Sequence, residues 1–211
     1  MWTLSEIRDK LSERLGETST TFWTAIERTG YINEGQRFVA SLTRGVPSTV
    51  SQVVNTSTPT IALPGKTFNA AATMGEIDGG RVLPVVTIER ANLVSPNWRS
   101  LSGRPFWIVL DIPTATARVT PVPSTDTNVS LTVSIYPSDL SSDSDELFNG
   151  TDAMEKYQGV VLNMAASLAL LKERYDGDAE RFYQFAIQEL QQLGISPQEI
   201  PPFRQVVEQN G

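Results

Sequence analysis

The first 45 residues carry apolar side chains at the three- and four-residue spacing of amphipathic helices. A capping box at Thr3-Leu4-Ser5-Glu6 begins the first helix, where the threonine hydroxyl and the glutamate carboxylate satisfy each other's backbone amides. A second box, Thr24-Ala25-Ile26-Glu27, begins the second helix. The apolar positions are Leu4, Ile7, Leu11 and Leu15, then Tyr31, Ile32, Gly35, Phe38, Val39 and Leu42. The pattern predicts a helical pair that ends at Gly45.

Two glycines, Gly30 and Gly35, lie inside the second predicted helix. Each costs about 1 kcal/mol relative to alanine at such a position. Glycine also allows another backbone to approach closely, because it has no side chain. We therefore expect a second backbone to pack against this helix at its glycines.

From residue 46 to residue 138, prolines and glycines separate short β-branched runs without a sustained helical period. The clearest strand is 129–135, where valine, leucine and isoleucine alternate with small polar residues, so one face is buried. Further predicted strands are 60–63, 81–88, 105–110 and 115–120. The strand 105–110 is apolar throughout, as in a strand covered on both faces. Many short strands favour an antiparallel sandwich or small barrel.

Helical periodicity returns after an acidic linker. The third predicted helix spans about 152–175 and is apolar on nearly every face, which is typical of a central helix. The turn Asp176-Gly177-Asp178 leads into a fourth helix, which ends at Gly194. Its predicted inward positions are Phe182, Ala186, Leu190 and Leu193.

Neither helical pair buries its apolar stripe alone, so the two pairs are expected to bury each other. The predicted fold class is α+β: a helical bundle formed by the N- and C-terminal helix pairs, with an inserted antiparallel β-sandwich or barrel-like region. The predicted divisions are 1–45 and 139–194 for the helical body, 46–138 for the β-rich insertion, and 195–211 for an extended C-terminal tail.

The C-terminal tail is the candidate binding segment of the chain. Burying four of its large apolar side chains stabilises by about 6–12 kcal/mol, whereas ordering its backbone costs about 1–2 kcal/mol per residue. The tail is therefore expected to be free in the isolated chain and to order against a partner. Packing onto its own bundle is the alternative. The candidate residues are Pro197, Ile200, Pro201, Pro202, Phe203, Val206 and Val207.

The amino-acid composition limits the catalytic, metal-binding and nucleic-acid-binding functions that the chain can have. The 211 residues include no cysteine and no histidine, which excludes thiolate and imidazole nucleophiles, bases and metal ligands. The net charge of −7 argues against bound nucleic acid, since DNA binding needs a basic footprint. The sequence shows no leader peptide and no apolar run that spans a bilayer, so we expect a soluble intracellular protein without a cofactor.

The acidic run 139–146 is a candidate metal site, but a solvated linker is the favoured interpretation. Asp143 and Asp145 fit the calcium-loop pattern, but Leu147 stands where that pattern requires a ligand. No metal site is therefore predicted.

Two features of the chain are candidates for carbohydrate binding or cleavage: the carboxylates of the linker and a group of aromatic residues. The linker carboxylates are neighbours in sequence, so they lack the opposed geometry of a glycosidase pair. Trp98, Phe106 and Trp107 have rings that stack on sugars or bases, although large aromatic residues mostly pack in cores. We predict a non-catalytic chain.

A set of short motifs follows one order over nearly the whole chain. After the first amphipathic helix they are Trp23-Thr24 with Glu27, Tyr31-Ile32-Asn33-Glu34-Gly35-Gln36-Arg37, Leu63-Pro64, Pro96-Asn97-Trp98, Pro121-Val122-Pro123, the acidic linker and the helix around 157–171. In this order they resemble the head-to-tail adaptor, or connector, proteins of short-tailed bacteriophages.

The resemblance implies a structural subunit of a twelve-membered ring that joins the portal protein to the tail nozzle or tube. It places the chain in the neck of the virion, after assembly in the host cytoplasm, and places 197–207 against the portal. Such a ring would hold about 84 negative charges, which lets DNA pass without specific binding. Because these charges repel each other, we expect the purified chain to be monomeric and to assemble on the portal.

Two other functions stay open at the level of the sequence. The first is a tail-tube or nozzle component without portal contact. The second is a glycan-binding or glycan-cleaving tail module that uses the β-rich insertion. A mixture with the portal protein distinguishes the first alternative, and a glycan-binding screen tests the second.

Overall fold

The computed structural model describes residues 1–17, 22–64, 67–78 and 80–203. The chain divides into two compact units. The helical unit comprises residues 1–46 and 137–211, and the β unit comprises residues 47–136. Helices and antiparallel sheets are both present, which confirms the mixed α and β class predicted from the sequence.

The elements are numbered in chain order over the described residues. The helices are α1 (Leu4–Arg14), α2 (Ala25–Leu42), α3 (Ile88–Val94), α4 (Gln158–Lys172) and α5 (Asp176–Gln192). The strands are β1 (Val46–Val54), β2 (Thr60–Ala62), β3 (Thr67–Ile77), β4 (Arg81–Leu83), β5 (Val85–Thr87), β6 (Trp107–Asp111), β7 (Thr116–Thr120) and β8 (Thr127–Ile135). No helix of the described ranges has both the length and the hydrophobicity of a membrane span.

Both predicted capping boxes are formed at the starts of α1 and α2. At α2, the Thr24 hydroxyl accepts from the Glu27 backbone N–H at 3.2 Å, and the Glu27 carboxylate accepts from the Thr24 N–H at 2.9 Å. The carboxylate also accepts from Lys172 at 2.5 Å. Hydrogen bonds from Lys172 and Thr24 lower the pKa of Glu27 to about 2, because they stabilise its charged form. The cap therefore joins the start of α2 to the end of α4.

The central helix of the helical unit is α4, as predicted. It is buried along nearly its whole length and packs against α1, α2 and α5. At Gly35 of α2, a β-carbon would lie 2.9 Å from the carbonyl oxygen of Val161, which confirms the predicted close approach of a backbone. At Gly30 the prediction is wrong, because a β-carbon there meets no described atom within 4 Å.

Two details of the C-terminal helices differ from the prediction. The third helix begins later than expected, since Asp152–Tyr157 form a 3₁₀-helix and the α-helix starts at Gln158. On α5, Tyr183 is buried where Phe182 was expected to be, and Phe182 is only partly buried.

The acidic linker is built into the helical unit by two buried amides of α2. Asn33 accepts from the backbone N–H of Leu140 at 2.8 Å and donates to its carbonyl at 3.2 Å. Gln36, which has no exposed surface, donates to the carbonyl of Ser138 at 2.9 Å. Its side-chain oxygen accepts from the N–H of Phe148 at 3.3 Å. Most residues of 139–146 are exposed, as in the solvated linker that was expected, while these hydrogen bonds hold its backbone at Leu140 and at its flanks.

The β unit contains two four-stranded sheets, in the orders β1-β8-β3-β4 and β2-β7-β6-β5. The pairs β2–β7, β3–β4, β3–β8 and β6–β7 are antiparallel, and β5–β6 is parallel. The alternation predicted for 129–135 is confirmed at Val129, Leu131 and Val133, which are buried. Both sheets contribute side chains to one hydrophobic cluster.

The strand β6 is covered on both faces, as its apolar sequence predicts. Ile108 and Leu110 belong to the cluster shared by the two sheets. On the opposite face, Val109 packs with Ala91 of α3 and with Trp98. The sequence indicated that both faces of β6 are covered, but it did not predict that the helix α3 covers the second face.

The predicted strand 81–88 is wrong as a single element. Pro84 lies between the three-residue strands β4 and β5, and the Thr87 side chain then caps α3 by accepting from the Arg90 N–H at 3.4 Å. The strands β1 and β3 were not predicted. A threonine and serine ladder lines the outer face of β1, with Thr49 and Thr132 hydroxyls 3.0 Å apart. Val54 of β1 belongs to the hydrophobic cluster shared by the two sheets.

Candidate functional site

The C-terminal segment folds onto α5 in the described structure. Ser196 caps a 3₁₀ turn at Pro197–Glu199, where its hydroxyl accepts from the Gln198 N–H at 3.4 Å. Beyond the turn, the Tyr183 hydroxyl of α5 donates a hydrogen bond to the carbonyl of Pro201. The rings of Tyr183 and Phe203 have centroids 5.4 Å apart. Phe203 also packs against a buried hydrophobic cluster formed by Trp23, Ala169, Leu170 and Ala179.

An open groove of about 700 Å³ lies between α5 and this segment. One wall comes from α5 and includes Asp176, Glu180, Tyr183 and Ile187. The other wall comes from Pro197 and residues 200–203. The groove is the candidate interaction site of the helical unit, since it combines an apolar lining with exposed carboxylates.

In the described structure, residues 197–203 pack onto the chain's own bundle, which was the alternative to a free, extended tail. The burial estimate counted only four side chains, whereas the structure adds the Tyr183 hydrogen bond, the ring contact at Phe203 and a capped turn. The prolines also reduce the entropy that the unfolded segment loses on ordering. These contributions favour the alternative of packing onto the chain's own bundle.

The structure brings five of the seven predicted site residues to the same groove: Pro197, Ile200, Pro201, Pro202 and Phe203. Pro202 is exposed, and Ile200 and Phe203 are partly buried. Val206 and Val207 lie outside the described residues.

The prediction missed the residues of α5 that receive the segment, above all Tyr183. The signal was present in the sequence, because Ala179, Tyr183, Ala186 and Leu190 follow one another at four-, three- and four-residue steps. These four residues are the buried positions of α5. Phe182 also lies four residues before Ala186, so helical spacing toward Ala186 did not by itself distinguish Phe182 from Tyr183.

We expect the attachment of the segment to weaken at alkaline pH through Tyr183. Burial raises the pKa of Tyr183 to about 12, from an ordinary value of 10.0. Below pH 10 the phenol is neutral in both states, so its contribution to the free energy of unfolding is complete. Between pH 10 and about pH 12 only the unfolded chain ionises, so stability falls. Denaturant unfolding followed across this range by far-ultraviolet circular dichroism measures the fall.

The variant Tyr183→Phe should abolish this part of the alkaline loss. It should also cost about 0.5–1.5 kcal/mol at neutral pH, because the hydrogen bond to Pro201 is lost. Tyr175→Phe is the matched control, since Tyr175 is 55% exposed. An equal alkaline slope in the Tyr183 variant and the parent chain would contradict the assignment.

The carboxylates of the acidic linker contact protein groups. Asp143 forms an ion pair with Arg8. One oxygen of Asp145 accepts from the N–H groups of Ser141 and Ser142, each at 2.8 Å, and these bonds lower the pKa of Asp145. Over the described ranges, no group of three or more acidic side chains forms a potential metal site.

The candidate aromatic residues of the β unit differ in exposure. Trp98 is only 3% exposed and donates its indole N–H to Asn92 at 2.8 Å, so it packs in the interior. Trp107 is partly buried, and Phe106 is 43% exposed with its ring 4.8 Å from that of Trp107. The three rings therefore do not present one stacking platform.

A comparison with protein-family models and with curated proteins finds no match for this chain.

Proposed function

We propose that this chain is a structural subunit of a head-to-tail adaptor ring, which joins a phage portal to the tail and continues the DNA channel. The finer architecture belongs to the same proposal: a helical bundle built from both ends of the chain, with an antiparallel β-sandwich inserted. The proposed location is the neck of the virion, in a ring of twelve chains. The proposed role is non-catalytic.

The observation that carries the proposal is the division into two compact units, one helical and one β-rich. A subunit that connects two assemblies needs two surfaces that act separately, and separate units supply them. The ordered motifs of the sequence add support, because they extend from the first helix to α4. The absence of histidine and cysteine from the sequence also favours a structural role.

We expect the full-length chain to co-migrate with portal particles from the same genome in a density gradient. Deleting residues 195–211 should weaken this binding at least about tenfold, as the loss of a central anchor does. Pro202→Asp is a second test, because Pro202 is exposed and its replacement leaves the packed Phe203 in place. Leu93→Ala, in the β unit, is the control with retained binding, because Leu93 is 81% exposed.

Failure of the full-length chain to co-migrate would overturn the portal contact and favour a tube or nozzle component. Binding that the deletion and Pro202→Asp both leave unchanged would overturn the role of the C-terminal segment. A glycan-binding signal from the intact chain would support the carbohydrate alternative instead.

A further inference from the structure

The groove between α5 and the C-terminal segment has an acidic rim and an apolar floor. Asp176 and Glu180 are exposed on the rim, and within the described part of the chain neither forms an ion pair. Ile187 and Phe203 contribute to the floor. An occupant that satisfies both features combines a cationic group with a large apolar side chain.

The charges of this chain are distributed unevenly along the sequence. Residues 137–211 hold thirteen acidic and five basic side chains, which gives a net charge of −8. Residues 47–136 hold six basic and five acidic side chains, which gives +1. The β unit of a second copy therefore has a net charge that suits the acidic groove. The C-terminal part of the helical unit, which contains the groove, is itself acidic.

One loop of the β unit offers the required pair of side chains. Arg104 is exposed and Phe106 is 43% exposed, and Arg104 has no ion-pair partner among the described residues. The backbone between them is held in place, because the carbonyl of Pro105 accepts from Arg81 at 2.8 Å and the Phe106 N–H donates to Thr120 at 3.1 Å. A fixed loop loses little conformational entropy on docking.

We propose that Arg104 and Phe106 of one copy dock into the α5 groove of a neighbouring copy. The guanidinium pairs with Asp176 and Glu180, and the phenyl ring covers the apolar floor. A groove of about 700 Å³ accommodates both side chains. The contact is heterologous, because it joins two different surfaces, and repetition of such a contact generates a ring when the rotation closes. This inference rests on the proposed ring function.

Another exposed apolar patch of the chain fits the groove less well. Ile26 is 85% exposed and Phe22 is 57% exposed at the start of α2. Glu27 follows them directly, so this patch would bring a carboxylate toward an acidic rim. Charge complementarity therefore favours the Arg104 loop over this patch.

Cysteine cross-linking tests the contact directly, because the natural sequence contains no cysteine. Separately purified Glu180→Cys and Arg104→Cys chains are mixed and oxidised at high protein concentration, with and without portal particles. The matched pair should give at least about tenfold more cross-linked dimer than Arg104→Cys mixed with Gln192→Cys. Gln192 is the control position, because it is exposed on α5 outside the groove lining.

Charge reversal provides a second measurement that does not depend on oxidation. Glu180→Arg and Arg104→Glu should each reduce assembly on the portal at least about tenfold, because each brings like charges together. The double variant should restore assembly, because the pair is re-formed with opposite polarity. Circular dichroism confirms that each variant is folded.

The outcomes separate this contact from the proposed function. The contact would be overturned if the matched pair gave no more cross-linked dimer than the control pair. It would also be overturned if the double variant assembled on the portal no better than the single variants. If portal binding persists in that case, the adaptor function stands. Matched cross-links without any portal binding would support the contact between copies and count against the adaptor function.

Discussion

Replacing Gln36 with alanine is expected to lower the free energy of unfolding of the helical unit by about 2–5 kcal/mol. The side chain is fully buried and holds the acidic linker at two backbone positions, the carbonyl of Ser138 and the N–H of Phe148. Alanine removes both hydrogen bonds, and the N–H of the fully buried Phe148 is left without this partner, a loss that costs about 1–3 kcal/mol. A void in the packed interior adds to the cost.

The neighbouring residue Arg37 supplies a matched control on the same helix and the same linker. Its guanidinium forms an exposed ion pair with Asp139 at 2.6 Å. Arg37→Ala should therefore cost less than about 1 kcal/mol. Urea unfolding followed by far-ultraviolet circular dichroism compares the two variants. A loss for Gln36→Ala no larger than for Arg37→Ala would show that the buried amide does not hold the linker.

Replacing Gly35 with alanine should destabilise the helical unit by about 1–3 kcal/mol, in spite of the better helix propensity of alanine. The new β-carbon would lie 2.9 Å from the backbone oxygen of Val161 on α4, and a backbone atom cannot rotate away as a side chain can. The two helices must separate, and the packing around Val161 is then lost. Thermal and urea unfolding measure the change.

The same substitution at Gly30 should have the opposite sign. No described atom lies within 4 Å of a β-carbon built there, so only the helix propensity changes. Gly30→Ala should therefore stabilise by about 0.5–1 kcal/mol. If both variants shifted stability in the same direction, the close approach of α2 and α4 at Gly35 would be refuted.

The helices were largely predictable because their signals are local. Each capping box lies within four residues, and the apolar spacing that follows depends only on the helical period. The continuous apolar character of α4 likewise indicated a central position before any partner was known. The predicted helix boundaries were less accurate. The third helix was expected to begin at about residue 152, where the structure has a 3₁₀-helix.

The strands were harder to predict, because their stability comes from neighbours that are distant in sequence. β1 mixes four valines with polar residues and a proline, so its strand pattern is weak until it lies in one sheet with β8, where the hydroxyls of Thr49 and Thr132 approach each other. At 81–88 the error was to predict too much strand, because this apolar run has the pattern of one continuous strand. Pro84 and the cap at Thr87 divide it, and α3 then covers β6.

The candidate site illustrates the same division. The sequence indicated that the C-terminal segment is rich in apolar residues and prolines, and those residues do lie together along the groove. It did not indicate that Tyr183 receives the segment, since a single hydrogen bond to Pro201 depends on two elements meeting in space. The balance between a free and a packed segment was therefore decided by contacts that only the folded chain provides.

By itself, the sequence determined the starts of α1 and α2, the mixed class of the fold and the absence of histidine and cysteine chemistry, because these depend on residue identity and short-range spacing. The tertiary structure decided the close approach at Gly35, the attachment of the linker to Asn33 and Gln36, and the position of the C-terminal segment on α5. These features pair groups that lie far apart in the chain. Their energies depend on burial and hydrogen-bond geometry, which exist only after the chain has folded.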